Sequence, residues 1–324
     1  MTISANEWPH KMADPKIVLD LIEAFRRSKV MFAAVELGVF EGRRDGKEID
    51  RLLEACGALG LLEPRGTEWV NTPAADEYLR KDSPRTLTGY IEYSNMALYP
   101  MWGHLEDAVR DGGHRWKQTF GFEGGIFSSF FKTDEARDRF LMGMHGFGQL
   151  SSPAVVRAFD LSRFNRIVDL GGASGHLAMA ALEAYPKLEA AVFDLPTAIE
   201  FARTFVKDTK VELIAGDFFE SPLPAADLYA LGRILHDWSV DKIERLLIRI
   251  YEALPSGGAL LVAEKLLGPT HVSAHVQSLS MLICTEGRER SLDEYRALLE
   301  AAGFQDVQGV VTGAPLDAVL AYKR

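Results

Sequence analysis

Residues 166–182 read RIVDLGGASGHLAMAAL. An apolar β-type run is followed by a glycine-rich turn and then by a run of helix formers. Strand, turn and helix in that order let backbone approach a ligand closely, and the helix start offers unpaired N–H groups. By itself the pattern is a weak signal. The dinucleotide fingerprint G-x-G-x-x-G is not met, because Ala173 stands where the second glycine should be. Asp169, two residues before Gly171, would repel a pyrophosphate but suits a ligand with a cationic end.

Working outward, short β-rich runs alternate with helical ones: AAVFDL (190–195), VELIAGD (211–217), DLYALGRIL (227–235) and GALLVAE (258–264). That alternation predicts a mostly parallel α/β sheet. FQDVQGVVT (304–312) and DAVLAYK (317–323), joined through the turn at 313–315, predict an antiparallel pair at the sheet edge. Asp169, Asp194, Asp217, His236 and Glu264 all fall at or just after the carboxyl ends of the predicted parallel strands. In an open α/β sheet those ends line one crevice, and ligands bind there. Five polar groups on one edge are hard to explain as five independent caps. An acid at the tip of the second strand, Asp194, is the usual partner of ribose hydroxyls. Asp217 can accept a hydrogen bond from an adenine amino group, and the neighbouring Phe218 can cover the base.

Before this region the pattern differs. In residues 15–40, Ile17, Val18, Leu21, Ile22 and Phe25 recur at helical spacing. Residues 49–63 read as a second helix with Leu52, Leu53, Cys56 and Leu59 on one stripe, and 63–73 read as a short β wing. The combination predicts a helical, winged-helix-like domain over 1–90. It lacks a basic recognition helix, so packing or dimerisation is its expected role. Residues 91–160 are rich in Met and aromatics and predict long linking helices that contribute to an acceptor pocket. Residues 161–324 form the α/β domain.

Composition narrows the function. The chain has 324 residues, 47% of them apolar, and a formal charge of −10. An acidic chain without a basic face argues against nucleic acid and anionic membrane as partners. The cysteines, Cys56 and Cys284, form no C-x-x-C pair, which fits a reducing compartment. No signal pattern and no apolar run of membrane-spanning length occurs, so a cytoplasmic location is expected.

The segment LGRILHDWSVDKIERLL (231–247) places His236 and Asp237 just before an amphipathic helix that begins near Ser239. At this point the motifs VDLGGASG, VFDLP, AGDFF, ILHDW, VAEKLL and TEGRERSLDEY, in that order, resemble the S-adenosylmethionine-dependent phenolic O-methyltransferases. WGHLEDAVRDG, GDFFESPLPAADLY and SLSMLICTEGRER resemble the acetylserotonin branch of that family. The resemblance implies a class I methyltransferase fold: a Rossmann-like, mostly parallel sheet with an antiparallel edge strand, plus the N-terminal dimerisation domain of a homodimer. It implies S-adenosylmethionine as methyl donor, without metal, and a small aromatic hydroxyl as acceptor. Gly171, Gly172 and Gly175 would wrap the methionine part. Asp194 would hold the ribose, Asp217 and Phe218 would bracket the adenine, and Arg233 would lie near the donor's carboxylate or the acceptor. His236 would be the base, with Glu264 and Glu289 holding it and the acceptor in place.

A phenol has a pKa of about 10, so a neutral imidazole is a suitable proton acceptor at physiological pH. Phe140, Met144 and Met281 are candidates to clasp a flat acceptor. His145, Ser280 and Asp237 are expected on the same wall; Trp102 and His104 are weaker candidates. Asp237 could instead help start the following helix. Three departures stand out: Ala173 in the glycine turn, Ser280 where the acetylserotonin enzymes carry asparagine, and a shortened stretch between residues 40 and 52. Methylation of nitrogen or carbon, or a non-catalytic relative that binds the donor, are the alternatives.

Overall fold

The computed structural model describes residues 14–124 and 133–324. The chain divides into two compact units, one ending at Ser83 and the other spanning Pro84–Arg324.

In the first unit the periodic stretch forms the helix Lys16–Glu36, and Ile49–Ala58 forms the second. The wing is an antiparallel hairpin, β1 (Leu62–Arg65) and β2 (Glu68–Asn71), with Gly66 at φ 64° in its turn. Between the helices Lys16–Glu36 and Ile49–Ala58 lies only a short 3-10 turn, Val39–Glu41, so the shortened stretch holds no further α-helix.

The second unit is built on a seven-stranded sheet of order β5-β4-β3-β6-β7-β9-β8. Strands β3 (Arg166–Leu170), β4 (Glu189–Asp194), β5 (Glu212–Ala215), β6 (Leu228–Gly232) and β7 (Ala259–Glu264) run parallel. Strands β8 (Gln305–Val310) and β9 (Asp317–Tyr322) are antiparallel. The last strand inserts beside β7, so of the antiparallel pair β8 occupies a sheet edge, opposite β5 at the other. The buried central strands explain their near-continuous apolar sequence: β7 is buried at all six positions. Strand order reverses between β4 and β6, on either side of β3, which makes the carboxyl end of β3 the switch point where a crevice opens.

Strand β6 is shorter than its sequence suggests. The apolar run continues to Leu235, but the strand ends at Gly232. Arg233 adopts a left-handed conformation at φ 57°, and a 3-10 turn, Leu235–Asp237, follows. A non-glycine residue in that region costs about 1–2 kcal/mol, so the surroundings must hold it there.

Residues 91–160 also depart from expectation. Among the described residues of this stretch only Asp134–Val156 is a long helix, started by the Thr133 hydroxyl accepting from the Ala136 N–H. The rest is a chain of short elements: Thr88–Tyr93, a π-helical turn at Ser94–Leu98, Tyr99–Trp102, Leu105–Asp111 and Trp116–Phe120. Gly112 and Gly121, both at φ 73°, terminate two of them. Much of the Met-aromatic content is ordinary core: Tyr93, Met101 and Trp116 pack with Ile283 and Cys284. No helix among the described residues is long and apolar enough to cross a membrane.

Two hydrogen bonds set the end of the helix Val272–Cys284. Its terminal carbonyls have no intrahelical partner, and the Arg115 N–H donates to Ile283 O at 2.8 Å while Trp116 Nε1–H donates to Cys284 O at 2.8 Å. Replacing Trp116 with Phe strips the Cys284 carbonyl of that donor and also removes part of the buried indole volume. Chemical denaturation of Trp116→Phe should show a loss of about 1–3 kcal/mol; an unchanged midpoint would mean the bond contributes nothing.

Candidate active site

A cavity of about 250 Å³ opens at the carboxyl ends of the parallel strands. One side is lined by the strand tips: Gly171, Asp194, Asp217, Phe218, Arg233 and His236. The other is aromatic and aliphatic: Tyr90 and Tyr93, Phe140 and Met144 from the long helix, and Ser280 and Met281 from Val272–Cys284.

Glu264, the last residue of β7, is buried, and its Oε1 accepts three backbone N–H groups, from Ile234 (3.0 Å), Leu235 (2.9 Å) and His236 (3.3 Å). It thereby holds the turn that follows left-handed Arg233, whose own N–H donates to Ala263 O at 3.0 Å. His236 sits on that turn, 3% exposed. Its Nδ1 lies 2.7 Å from Glu289 Oε1 and 3.3 Å from Glu264 Oε2. The two acids therefore divide the work: Glu264 supports the backbone and Glu289 bonds the ring. With Nδ1–H donated to Glu289, Nε2 is the nitrogen able to take a proton; it lies 3.7 Å from Asp237 Oδ1. Gly287 makes this packing possible, since a Cβ there would come within 2.2 Å of His236 O.

Burial alone would push the His236 pKa down, but the Glu264 and Glu289 carboxylates override it and raise it to about 9. Burial raises Glu264 in turn, tempered by the nearby imidazole. Asp237 is raised as well, chiefly by burial. Asp237 lines the cavity, and the helix Val240–Ala253 is preceded by Ser239 rather than started by Asp237.

The glycine turn is shaped around two aspartates. Asp194 Oδ2 accepts from the Ala173 N–H at 2.9 Å and its Oδ1 from the Leu195 N–H at 2.7 Å. Ala173 itself sits at φ 49°, so the alanine that stands in the glycine turn is accommodated in a left-handed conformation. Asp169 lies behind the turn rather than on the cavity wall; a Cβ on Gly172 would meet its Oδ2 at 2.5 Å. Gly175, at φ 81°, starts the helix His176–Ala184 against Val192 and Val206, and also lies off the wall. Burial, reinforced by Asp194, raises Asp169 to about 7, and burial raises Asp194 to about 6.

Among the described residues four buried polar atoms around the site have no hydrogen-bond partner: Asp169 Oδ2, Arg233 Nε, Glu264 Oε2 and Glu289 Oε2. An orphaned anion and an orphaned cation at one edge fit a ligand that carries both charges. The Arg233 guanidinium lies 4.7 Å over the Phe147 ring. Asp217 holds its own loop through the Phe219 N–H at 2.8 Å, with the Phe218 and Phe219 rings 4.8 Å apart.

His236, Glu264 and Glu289 also form a group with metal-ligand chemistry, which the sequence reading did not foresee. Two atoms ligating one zinc ion at about 2.0–2.2 Å would stand roughly 3.3 Å apart. The 2.7 Å between Nδ1 and Glu289 Oε1 is a hydrogen-bond distance.

His145 is a correction. It is buried but lies off the cavity wall, with Nδ1 2.8 Å from Ser174 Oγ, Nε2 2.9 Å from Gln149 Nε2, and the ring against Phe205. Trp102 and His104 lie off the wall too. Conversely, Tyr90, Tyr93, His176, Trp238, Gln277 and Cys284 line the cavity without having been singled out. Only the three-residue spacing of Tyr90 and Tyr93, and the adjacency of Trp238 to the His-Asp pair, offered any signal.

A model described as an O-methyltransferase domain matches residues 102–305. The chain is 39% identical to acetylserotonin O-methyltransferase of Bos taurus, over 95% of this chain and 97% of that protein. It is 40% identical to a Homo sapiens protein described as a probable bifunctional dTTP/UTP pyrophosphatase/methyltransferase, over 95% of this chain but 54% of that one, so it spans about half of that relative's length. The solved structure of human N-acetylserotonin methyltransferase in complex with S-adenosylmethionine superposes with a TM-score of 0.89 at 35% identity, covering 98% of this chain and 99% of that one.

The geometry makes His236 a measurable titrating group. Removing the Glu289 charge by Glu289→Gln should lower its pKa from about 9, followed by NMR of the ring protons. A value unchanged in the variant would mean that the bond to Glu289 does not set it.

Proposed function

This chain belongs to the O-methyltransferase domain family and is an S-adenosylmethionine-dependent O-methyltransferase, and on that premise we propose that it methylates the hydroxyl of a small, flat aromatic acceptor with His236 as general base. The observation that carries this reading is the His236–Glu289 bond of 2.7 Å at the cavity wall. When bound, S-adenosylmethionine supplies an electrophilic sulfonium methyl group.

The chain's own residues do the rest. Asp169 and Arg233 attract the two charged ends of the methionine tail, an assignment supported by their orphaned buried atoms. Gly171, Gly172 and Gly175 keep side chains out of the turn that approaches it. Asp194 holds the ribose, and Asp217 with Phe218 brackets the adenine. Tyr90, Phe140, Met144 and Met281 clasp the acceptor ring. Ser280 and Asp237 face it as polar contacts, and the shorter Ser280 favours an acceptor other than acetylserotonin.

His236 Nε2 takes the acceptor's hydroxyl proton as the oxygen gains its methyl. A pKa of about 9 lies close to that of a phenol, about 10, so the transfer is nearly balanced. Glu289 holds the Nδ1–H tautomer and stabilises the imidazolium that results. Because His236 must be neutral to act, the rate rises with pH through the region of its pKa, and Glu289→Gln moves that rise to lower pH.

The exposed apolar face of the helix Lys16–Glu36 supports a homodimer: Ile17 is 70% and Leu21 69% exposed, with Phe25 half exposed. The first unit is then a winged-helix-like dimerisation domain.

The reading is tested by a methyl-transfer assay across hydroxyindoles, phenols and catechols, with and without EDTA; turnover confined to amines, or abolished by EDTA, would overturn it. His236→Ala should lose roughly 10²- to 10⁴-fold in rate while keeping S-adenosylhomocysteine affinity within a few-fold. Asp194→Ala should weaken that affinity first, and calorimetry showing no change would remove the ribose assignment. Leu21→Glu with Phe25→Glu should sediment as a monomer; a dimer that survives both changes would place the interface elsewhere.

A further inference from the structure

His145 makes three contacts that no acceptor or donor group requires: Ser174, Gln149 and the Phe205 ring. An amide Nε2 can only donate, so Gln149 donates to His145 Nε2 and leaves Nδ1 as the ring's N–H. That N–H points at Ser174 Oγ, 2.8 Å away, inside the glycine turn 171–175. Burial lowers the His145 pKa to about 4, which keeps the ring neutral and this tautomer in place. Ser174 is fully buried.

A second bond runs the opposite way. Ser152 Oγ, from the same long helix, lies 2.8 Å from Nδ1 of His176, the first residue after the turn. The His176 ring seats against Gly148, where a Cβ would come within 2.3 Å of it. Two His–Ser pairs, one in each direction, therefore tie the helix Asp134–Val156 to the turn and to the helix that follows it. The same long helix presents Phe140, Leu141 and Met144 to the cavity.

We propose that His145 is a positioning residue that holds the donor-binding turn through Ser174, linking the acceptor-facing helix to the donor site. The proposal rests on residues 171–175 being the donor turn. His145 touches neither donor nor acceptor; it acts through Ser174, whose neighbour Ala173 is held in its left-handed conformation by Asp194.

The test uses the full chain and S-adenosylhomocysteine in calorimetry. His145→Phe preserves the ring against Phe205 but removes both hydrogen bonds, and should weaken binding roughly tenfold. His145→Asn restores a donor at the position of Nδ1 and should bind within about twofold of wild type, a rescue that a space-filling role would not produce. Ser174→Ala should lose most of what His145→Phe loses, and the double variant should be no weaker than His145→Phe, because both remove the His145–Ser174 bond. In turnover, the KM for S-adenosylmethionine should rise in His145→Phe more than kcat falls. Wild-type affinity in His145→Phe, or additive losses in the double variant, would overturn the proposal. If His145→Phe fails to fold, Ser174→Ala against His145→Asn decides it: equal affinities would sink the link. Unchanged affinity in Asp194→Ala would instead sink the donor-turn assignment itself.

Discussion

The site depends on one buried carboxylate. Glu264 ends the central strand β7, and one of its oxygens takes the backbone N–H groups of Ile234, Leu235 and His236. An acceptor bonded to three N–H donors is strongly held, and here it fixes a turn that would otherwise be unfavourable. Arg233 must sit at positive φ for β6 to end at Gly232 and for the next three residues to curl over the sheet edge. Without that curl the apolar run would continue as strand, and the imidazole would not reach the cavity.

The same acid, together with Glu289, makes His236 more basic than a free imidazole despite burial. Burial and charge pull in opposite directions, and the two close carboxylates win. Burial of this triad is costly unless each member is paired. The ring bond to Glu289 and the turn bonded to Glu264 supply that pairing, and Gly287 leaves room for the backbone between them.

At the neighbouring strand tips the balance falls the other way. Asp169 and Asp194 are both pushed up toward neutrality by burial, so ionising either of them here is costly. The orphaned Oδ2 of Asp169 is the clearest sign of it.

How much of this was legible in the sequence follows from period and position. Alternating β and helical runs determined a parallel α/β sheet, and the rule that its strand ends share one edge gathered Asp169, Asp194, Asp217, His236 and Glu264 before any coordinates. Ordered motifs carried the family. Tertiary structure alone decided the rest. Which glutamate bonds the ring and which the backbone depends on the register of β7 beside β6 and on the turn at Arg233, neither of which has a local signature. His145 was expected on the acceptor wall because its segment, FLMGMHGFG, resembles the start of the family's acceptor wall. A helix places adjacent residues about 100° apart, so His145 faces the glycine turn instead. Sequence sets what each side chain can do; the packing of one element on another decides which partner it meets.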